Sequence, residues 1–187
     1  MLARPGTRVV APGGGLALPL FRCQLAVCGP RGQALASLNR RLALADFGRH
    51  PLVSYESSLR PESSLRRAFA GAGQTPRFAF TSRDADLIKT YVRAGLGVGI
   101  LAEMAMLAED TLDLQLLDAS DLFPSCTTWL VLRRDRVPRS YALVLAELIA
   151  PHLDRRDLQR ALAGEGPAQW PAAPEWHELN VERQTVA

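Results

Sequence analysis

The sequence predicts an α/β fold, because short apolar strands alternate with amphipathic helices along most of its 187 residues. Residues 80–101 show this alternation most clearly, as a strand, a helix with marked ends, a glycine turn and a second strand. Since the segments between the elements are short, we expect a parallel or mixed sheet that is covered by helices.

The helix within residues 80–101 has both of its ends marked. Thr81 and Asp84 have the spacing of a capping box, and Asp86 adds negative charge to the first turn, where the helix dipole favours it. Gly95 stands where a left-handed C-cap is expected. The helical period predicts an exposed face with Lys89 and Arg93, and a buried face with Leu87, Ile88, Tyr91 and Val92.

Three glycines, Gly95, Gly97 and Gly99, follow this helix and precede the next strand. A phosphate-binding glycine loop has the opposite order, with the strand before the glycines and the helix after them. The glycine pattern therefore indicates a tight turn and does not predict a dinucleotide site.

The other elements follow from apolar spacing and from turn residues. Further strands are predicted at residues 25–28, 52–55, 78–80, 112–117 and 127–132. Further helices are predicted at residues 62–70, 102–108 and 138–149, with a short helix or turn at residues 42–47. The helix at residues 138–149 has, at the spacing of a core face, Tyr141, Val144, Leu145 and Leu148.

The composition is typical of a globular domain, with 48% hydrophobic and 22% charged residues. The formal net charge is +3, and the first 50 residues carry seven arginines against one acidic residue. Because these arginines are dispersed and have few aromatic neighbours, they indicate a solvated surface rather than a nucleic-acid stripe.

The sequence also bears on cellular location. It has no transmembrane run, and Pro12 with the glycines after it interrupts the apolar core that a signal peptide needs. Cys23, Cys28 and Cys126 lack metal-ligand spacing and are expected to be reduced thiols. We therefore expect a cytoplasmic protein.

Several motifs resemble the effector-binding domain of LysR-type transcription regulators, and most closely the CysB branch that controls sulfur assimilation. Residues 80–101 resemble its most distinctive segment. The other matching motifs lie at residues 50–55, 72–77, 127–129, 139–141 and 150–153. The order of elements from residue 25 to about residue 163 is also similar to that of a CysB-type regulator.

This resemblance implies a periplasmic-binding-protein-like fold, in which two α/β subdomains hold the effector in the cleft between them. It implies a complete second subdomain at residues 21–125 and a returning part of the first subdomain at residues 126–163. Residues 1–20 are expected to be irregular, and residues 164–187 are expected to be a loosely held tail because of their prolines. Since no helix-turn-helix precedes the sensor, the chain resembles an N-terminally truncated regulator.

The resemblance further implies a regulator of cysteine biosynthesis that self-associates and senses a small anionic metabolite. Sulfate, thiosulfate and acetylserine-like compounds are the expected effectors. DNA is an expected partner only through the helix-turn-helix that this chain lacks, and no membrane partner is expected.

Two hydroxyl-rich segments, residues 54–60 and 81–83, follow neighbouring predicted strands. Ligands of open α/β sheets bind beyond the carboxyl ends of strands, beside helix N-termini that attract anions. We therefore expect an anion site, with Arg60 as the charged clamp, that is formed by Ser54, Ser57, Ser58, Arg60, Thr81 and Ser82. An equally weighted alternative is that these hydroxyls only cap the two helices. CysB-type sensors place a threonine at the position of Arg60.

Two alternatives come from other classes of protein. Ser57 or Ser58 with His50 and an aspartate could form a catalytic set, but no Gly-x-Ser-x-Gly motif occurs. His152 and His177 lack the carboxylate pattern of a metal site, so we expect no enzyme, no cofactor and no metal. A transport-type solute-binding protein has the same two-lobed architecture but needs a secretory segment. A truncated remnant without function is the remaining alternative.

Overall fold

The computed structural model describes residues 10–11, 15–32, 35, 38, 40–119, 121–135, 138–165 and 170–179. The chain divides into two compact units. The first unit is residues 24–126, and the second combines the described parts of residues 2–23 and 127–187. Both units contain strands, and helices accompany them, which confirms the prediction of an α/β fold.

The elements of the described residues are as follows. The strands are β1 (Val10–Ala11), β2 (Gly15–Cys23), β3 (Leu25–Pro30), β4 (Leu52–Tyr55), β5 (Phe78–Ser82), β6 (Val98–Ala102), β7 (Leu114–Leu117) and β8 (Cys126–Leu132). The helices are α1 (Ser64–Gly71), α2 (Ala85–Arg93), α3 (Ser140–Ile149) and α4 (Arg155–Leu162). Short 3₁₀ turns cover Leu44–Arg49, Glu56–Leu59, Glu103–Ala105 and Ala108–Leu112. The last two turns replace the helix that was predicted at residues 102–108.

The first unit is built on a mixed five-stranded sheet with the order β5-β4-β6-β3-β7. Strand β4 is parallel to β5 and β6, whereas β3 is antiparallel to β6 and β7. The register pairs Ser54 with Thr81 and Tyr55 with Ser82. Because β4 and β5 are parallel neighbours, their carboxyl ends meet at the same edge of the sheet, and the two hydroxyl-rich segments lie side by side.

Each face of this sheet buries its own apolar cluster, since successive residues of a strand point to opposite faces. Phe69 of α1 belongs to one cluster, together with Leu52 of β4. Ile88 and Val92 of α2 belong to the other cluster, together with Val53. Burying an aliphatic side chain of this size contributes roughly 2 kcal/mol. The two clusters therefore fix β4, and the segment that follows it, from both sides.

Two of the three glycines after α2 are required by close packing. A Cβ atom on Gly97 would collide with the carbonyl oxygen of Pro51. A Cβ atom on Gly99 would lie 2.7 Å from Sγ of Cys28 and 2.8 Å from Cγ2 of Val92. Gly95 has φ of +75° after the end of α2, as a left-handed C-cap requires. Turn geometry and sheet packing thus account for all three.

The N-terminus and the faces of α2 differ in part from the prediction. Asp84, and not Thr81, caps the helix, because its side chain accepts the N–H of Leu87 at 2.9 Å. Ile88 is buried as predicted, whereas Leu87 is 41% exposed. Lys89 was predicted to be exposed but is buried, because three acceptors surround its ammonium group.

The second unit contains a three-stranded sheet with the order β1-β2-β8. The prediction that residues 1–20 are irregular is wrong for the stretch from residue 15, which belongs to β2. This strand is buried along nearly its whole length, so it lacks the polar and apolar alternation that marks a half-exposed strand. Pro19 also argues against a strand in the sequence, because proline is uncommon within strands.

Residues 170–179 pack against β2, so the prediction of a loosely held tail is wrong for them. The backbone N–H of Arg22 donates to the carbonyl of Pro174 at 2.8 Å. The rings of Phe21 and Trp176 lie 4.9 Å apart between centroids, and Trp170 is buried. Two tryptophans bury enough apolar surface to order a segment that its prolines alone would leave loose.

Helix α3 forms where it was predicted, but its apolar face is exposed. Ala146 is buried on the opposite side. The four residues that were predicted to lie in the core are 66%, 44%, 53% and 68% exposed, and they are Tyr141, Val144, Leu145 and Leu148. We call these four residues the α3 stripe. The spacing correctly indicated an amphipathic helix, and nothing in the described part of the chain covers the stripe.

None of the helices formed by the described residues is long and apolar enough to cross a membrane.

Candidate functional site

A cavity of about 460 Å³ lies in the first unit, where β4 and β5 end. Three of its lining residues belong to the predicted site, namely Ser57, Arg60 and Ser82. The other three were not predicted, namely Tyr55, Glu56 and Arg83. We call this cavity the β4–β5 cavity.

One wall of the β4–β5 cavity is the 3₁₀ turn Glu56–Leu59. The N–H of Arg60 closes this turn by donating to the carbonyl of Ser57 at 3.3 Å. Side chains three residues apart in a 3₁₀ turn eclipse each other, so Ser57 and Arg60 project on the same side. Arg60 is exposed, and none of the described residues pairs with its guanidinium group.

Ser54 and Ser58 lie beneath this turn and are buried. The hydroxyl of Ser54 donates to the carbonyl of Ile100 at 2.7 Å, because a carbonyl oxygen can only accept. The hydroxyl of Ser58 then donates to Oγ of Ser54, 3.1 Å away. The carbonyl of Ser58 accepts the hydroxyl of Ser63, which also caps α1. These bonds hold the turn on the sheet and use the hydrogens that Ser54 and Ser58 could offer to a ligand.

The opposite wall is formed by the end of β5. Oγ of Ser82 lines the cavity and accepts the N–H of Asp84 at 3.0 Å, which leaves the hydroxyl hydrogen of Ser82 available to donate. Thr81 is half-buried on β5 and does not line the cavity. The predicted capping roles therefore belong mainly to other residues, since Ser63 caps α1 and Asp84 caps α2.

Charged groups of both signs face the cavity. Nε of Arg83 donates to Oε2 of Glu56 at 2.7 Å, and this hydrogen bond raises the pKa of the Arg83 guanidinium. Both side chains are largely exposed, so the ion pair contributes little to stability. With Arg60, the lining carries two positive charges and one negative charge. Glu56 and Arg83 each come directly after paired strand residues, and this shared register is the signal that could have revealed them.

A second charged cluster lies in the same unit, around Lys89 of α2. Its ammonium group meets three acceptors, which are Oδ1 of Asp86 at 2.8 Å, Oδ2 of Asp110 at 2.7 Å and the carbonyl of Ala105 at 3.0 Å. Asp110 also accepts the N–H of Leu107 at 2.9 Å. Since an ammonium group has three hydrogens, the site matches lysine in donor number.

The ionisation of this cluster follows from its contacts. Burial alone would raise the pKa of Asp110, but hydrogen bonds from Lys89, the backbone of Leu107 and Arg93 together lower it to about 2. Burial raises the pKa of Cys28 to about 12, so its thiol stays protonated and inert. A cavity of about 480 Å³ lies beside the cluster, but the cluster's main charged groups already have partners. We therefore interpret the cluster as structural.

His152, in the second unit, contacts the backbone of β2. Nε2 of His152 lies 3.0 Å from the carbonyl of Pro19, and burial lowers the pKa of His152, so the neutral ring donates to that carbonyl. Among the residues that the structure describes, no group of three His, Cys, Asp or Glu side chains could hold a metal ion.

Comparison with known proteins identifies the family. Residues 6–154 match the family model described as the LysR substrate binding domain. Over 122 residues the chain is 43% identical to the HTH-type transcriptional regulator CysB of Haemophilus influenzae. The match covers 65% of this chain and 38% of that protein. Over 150 residues it is 35% identical to CysB of Burkholderia cenocepacia, which covers 80% of this chain and 48% of that protein. The chain thus spans less than half the length of these relatives.

A further relative is the HTH-type transcriptional regulator SsuR of Burkholderia cenocepacia, which is 34% identical over 140 residues and covers 75% of this chain and 45% of that protein. Among solved structures, the cofactor-binding domain of the Cbl transcriptional regulator matches with a TM-score of 0.74 at 29% identity. The match covers 84% of this chain and 69% of that one.

The effector binding domain of QuiR in complex with shikimate matches with a TM-score of 0.63 at 12% identity, over 78% of this chain and 68% of that one. At that identity the likeness supports the fold alone. The resemblance seen in the sequence motifs is confirmed: this chain belongs to the family of LysR substrate-binding domains, and regulators of the CysB, SsuR and Cbl types are among its relatives.

Proposed function

We propose that this chain is the effector-sensing domain of a CysB-like regulator of sulfur assimilation and cysteine biosynthesis. The observation that carries the proposal is the β4–β5 cavity, in which Arg60 and the hydroxyls of Ser57 and Ser82 face the same space. A guanidinium group beside two hydroxyl donors is suited to a small anion. Sulfate, thiosulfate and acetylserine-like compounds are the effectors that we propose.

The residues of the site have different roles in this proposal. Arg60 pairs with the anion, and Ser57 and Ser82 donate hydrogen bonds to it. Ser54 and Ser58 act indirectly, since their buried hydroxyls hold the turn that carries Ser57 and Arg60. Thr81 contributes through its place in β5, next to Ser54.

We further propose that residues 21–125 are the second subdomain of the sensor and that residues 126–163 are the returning part of the first. The division of the structure near residues 24 and 126 supports this assignment. As parts of the same proposal, the regulator acts in the cytoplasm, self-associates, and meets DNA through a helix-turn-helix outside this chain.

Thermal unfolding with added ligand tests the proposed site. We expect a Kd no better than about 1 mM, or about 4 kcal/mol of binding free energy, because the cavity offers a ligand one unpaired guanidinium group and two hydroxyl groups. A tenfold excess of ligand over such a Kd should then raise Tm by roughly 4 °C. The ligands to compare are sulfate, thiosulfate, O-acetylserine and N-acetylserine.

Arg60→Ala should remove most of the ligand-induced shift, because it removes the unpaired cation of the cavity. Arg67→Ala is the matched control, since Arg67 is also exposed and lies nearby on α1 but does not line the cavity. A shift that survives Arg60→Ala unchanged would place the site elsewhere. No shift with any of the four ligands would favour a folded remnant without a sensor function.

A further inference from the structure

We propose that Ser63, which does not line the β4–β5 cavity, is a positioning residue for the anion site. It joins the turn that carries Ser57 and Arg60 to the start of α1. Binding of an anion at Arg60 and capping of α1 are therefore coupled, because both depend on the same side chain. This inference rests on the proposed function and adds to it a residue that contacts no ligand.

Ser63 contacts the turn through both its backbone and its side chain. Its N–H donates to the carbonyl of Arg60 at 3.0 Å. Its hydroxyl donates to the carbonyl of Ser58 at 3.1 Å. These two bonds hold the end of the turn at two points, and with it the backbone from which the Arg60 side chain projects.

The same hydroxyl oxygen caps α1. It accepts the N–H of Arg66, the third residue of the helix, at 3.1 Å. A hydroxyl group has one hydrogen and two lone pairs, so it can donate to Ser58 and accept from Arg66 at the same time. Phe69 fixes α1 in turn, because its ring is buried in the core. Ser63 thus ties the backbone at Arg60 to a helix whose position is set by the core.

This connection matters because none of the described residues pairs with the guanidinium group of Arg60. Without the hydroxyl of Ser63, the turn has more conformations available, and a ligand has to order it on binding. One neutral hydrogen bond corresponds to about a fivefold change in affinity. Since coupling is reciprocal, a bound anion strengthens the bonds of Ser63 by the same factor.

Two helix caps provide a matched pair of variants. Ser63→Ala and Asp154→Ala each remove the N-cap of one helix, α1 in the first unit and α4 in the second, so both should lower Tm. Kd is measured by titration of thermal unfolding with sulfate at constant ionic strength. We expect Ser63→Ala to weaken sulfate binding about fivefold and Asp154→Ala to leave it unchanged. Ser63→Thr keeps the hydroxyl and should restore the wild-type Kd.

Hydrogen exchange tests the same coupling in the wild-type chain. Sulfate at a tenfold excess over its Kd should slow exchange of the backbone amide of Arg66 about fourfold, because exchange there requires its bond to Ser63 to open. The amide of Asp157 is the internal control. It is bonded to Asp154 at the same position of α4, and its exchange rate should not change.

The outcomes separate this inference from the proposed function. If sulfate binding depends on Arg60, but Ser63→Ala leaves Kd unchanged or Asp154→Ala weakens binding equally, the inference is wrong and the anion site stands. An unchanged exchange rate at Arg66 also contradicts the inference, even if Ser63→Ala does not fold. If sulfate does not bind the wild-type chain, the inference is wrong, and if none of the four ligands binds, the proposed function fails with it.

Discussion

The ammonium nitrogen of Lys89 lies 2.7 Å from Oδ2 of Asp110, and only 3% and 4% of the two side chains are exposed. This contact joins the middle of α2 to the 3₁₀ turn Ala108–Leu112. Arg93, one turn further along α2, donates to the other oxygen of Asp110 and also to Asp113. The pair therefore lies at the centre of a network that attaches a chain segment with little regular structure to a helix.

Lys89→Met should lower the free energy of unfolding by about 3 kcal/mol, because it leaves the buried carboxylate of Asp110 short of its main partner. Denaturation by urea measures the change. Arg133→Ala is the control, since Arg133 pairs with Asp135 at the surface, and this change should have almost no effect. A similar small loss in both variants would show that the buried pair does not stabilise the fold.

Stability should fall between about pH 4 and pH 2 because of Asp110. Its folded pKa of about 2 lies below the ordinary value of 3.8, so its contribution is present above pH 3.8 and is lost as the pH falls through 2. The difference between the two pKa values corresponds to about 2 kcal/mol. Asp110→Asn should remove this part of the acid sensitivity, and Glu109→Gln, at an exposed neighbour, should retain it. If Asp110→Asn loses stability with falling pH as the wild type does, Asp110 is not the group responsible.

Gly97→Ala should destabilise the first unit by about 2 kcal/mol or more, because the added methyl group meets the backbone carbonyl of Pro51. Gly71→Ala is the matched change, since Gly71 ends α1 and has no atom within 4 Å of the added Cβ position. Alanine there should stabilise the fold by roughly 0.5–1 kcal/mol. Thermal unfolding of the two variants should therefore shift in opposite directions, and equal shifts would be inconsistent with the packing of β6.

We expect the α3 stripe to drive self-association at tens of micromolar protein, because burial of an exposed apolar face is favourable. Leu145→Glu and Leu148→Glu together should reduce the average mass measured by light scattering. They should change Tm little, because both side chains are more than half exposed. Gln159→Glu, an added charge on the exposed face of α4, is the control. A monodisperse wild-type monomer at that concentration would contradict this prediction.

Local patterns were sufficient for the elements of the first unit. Strand β4 has the predicted bounds, and α2 ends just before Gly95 as predicted, because apolar period and turn residues are local signals. The start of α2 is three residues later than a cap at Thr81 implies. The burial of Lys89 could not be predicted in this way, because its main partner, Asp110, lies 21 residues further along the chain. The turn that carries Asp110 also lacks a periodic pattern.

About half of the residues that line the β4–β5 cavity were predicted from the sequence, because local signals mark them. Ser57, Arg60 and Ser82 were found from strand ends and hydroxyl content. Glu56 and Arg83 were missed because each alone is an ordinary charged loop residue, and only the pairing of β4 with β5 brings them together. Ser54 and Ser58 were assigned to the ligand because a sequence cannot tell a buried hydroxyl from an accessible one.

Lys89 is the only lysine in the chain, and it is buried in the folded state. Amine-selective reagents, such as acylating dyes and short cross-linkers, therefore find no accessible lysine side chain on the folded protein. Acylation of Lys89 requires α2 and the neighbouring 3₁₀ turn to separate first, so its rate reports how often this part of the molecule opens. The acylation rate of Lys89 thus measures local unfolding of this region without an introduced label.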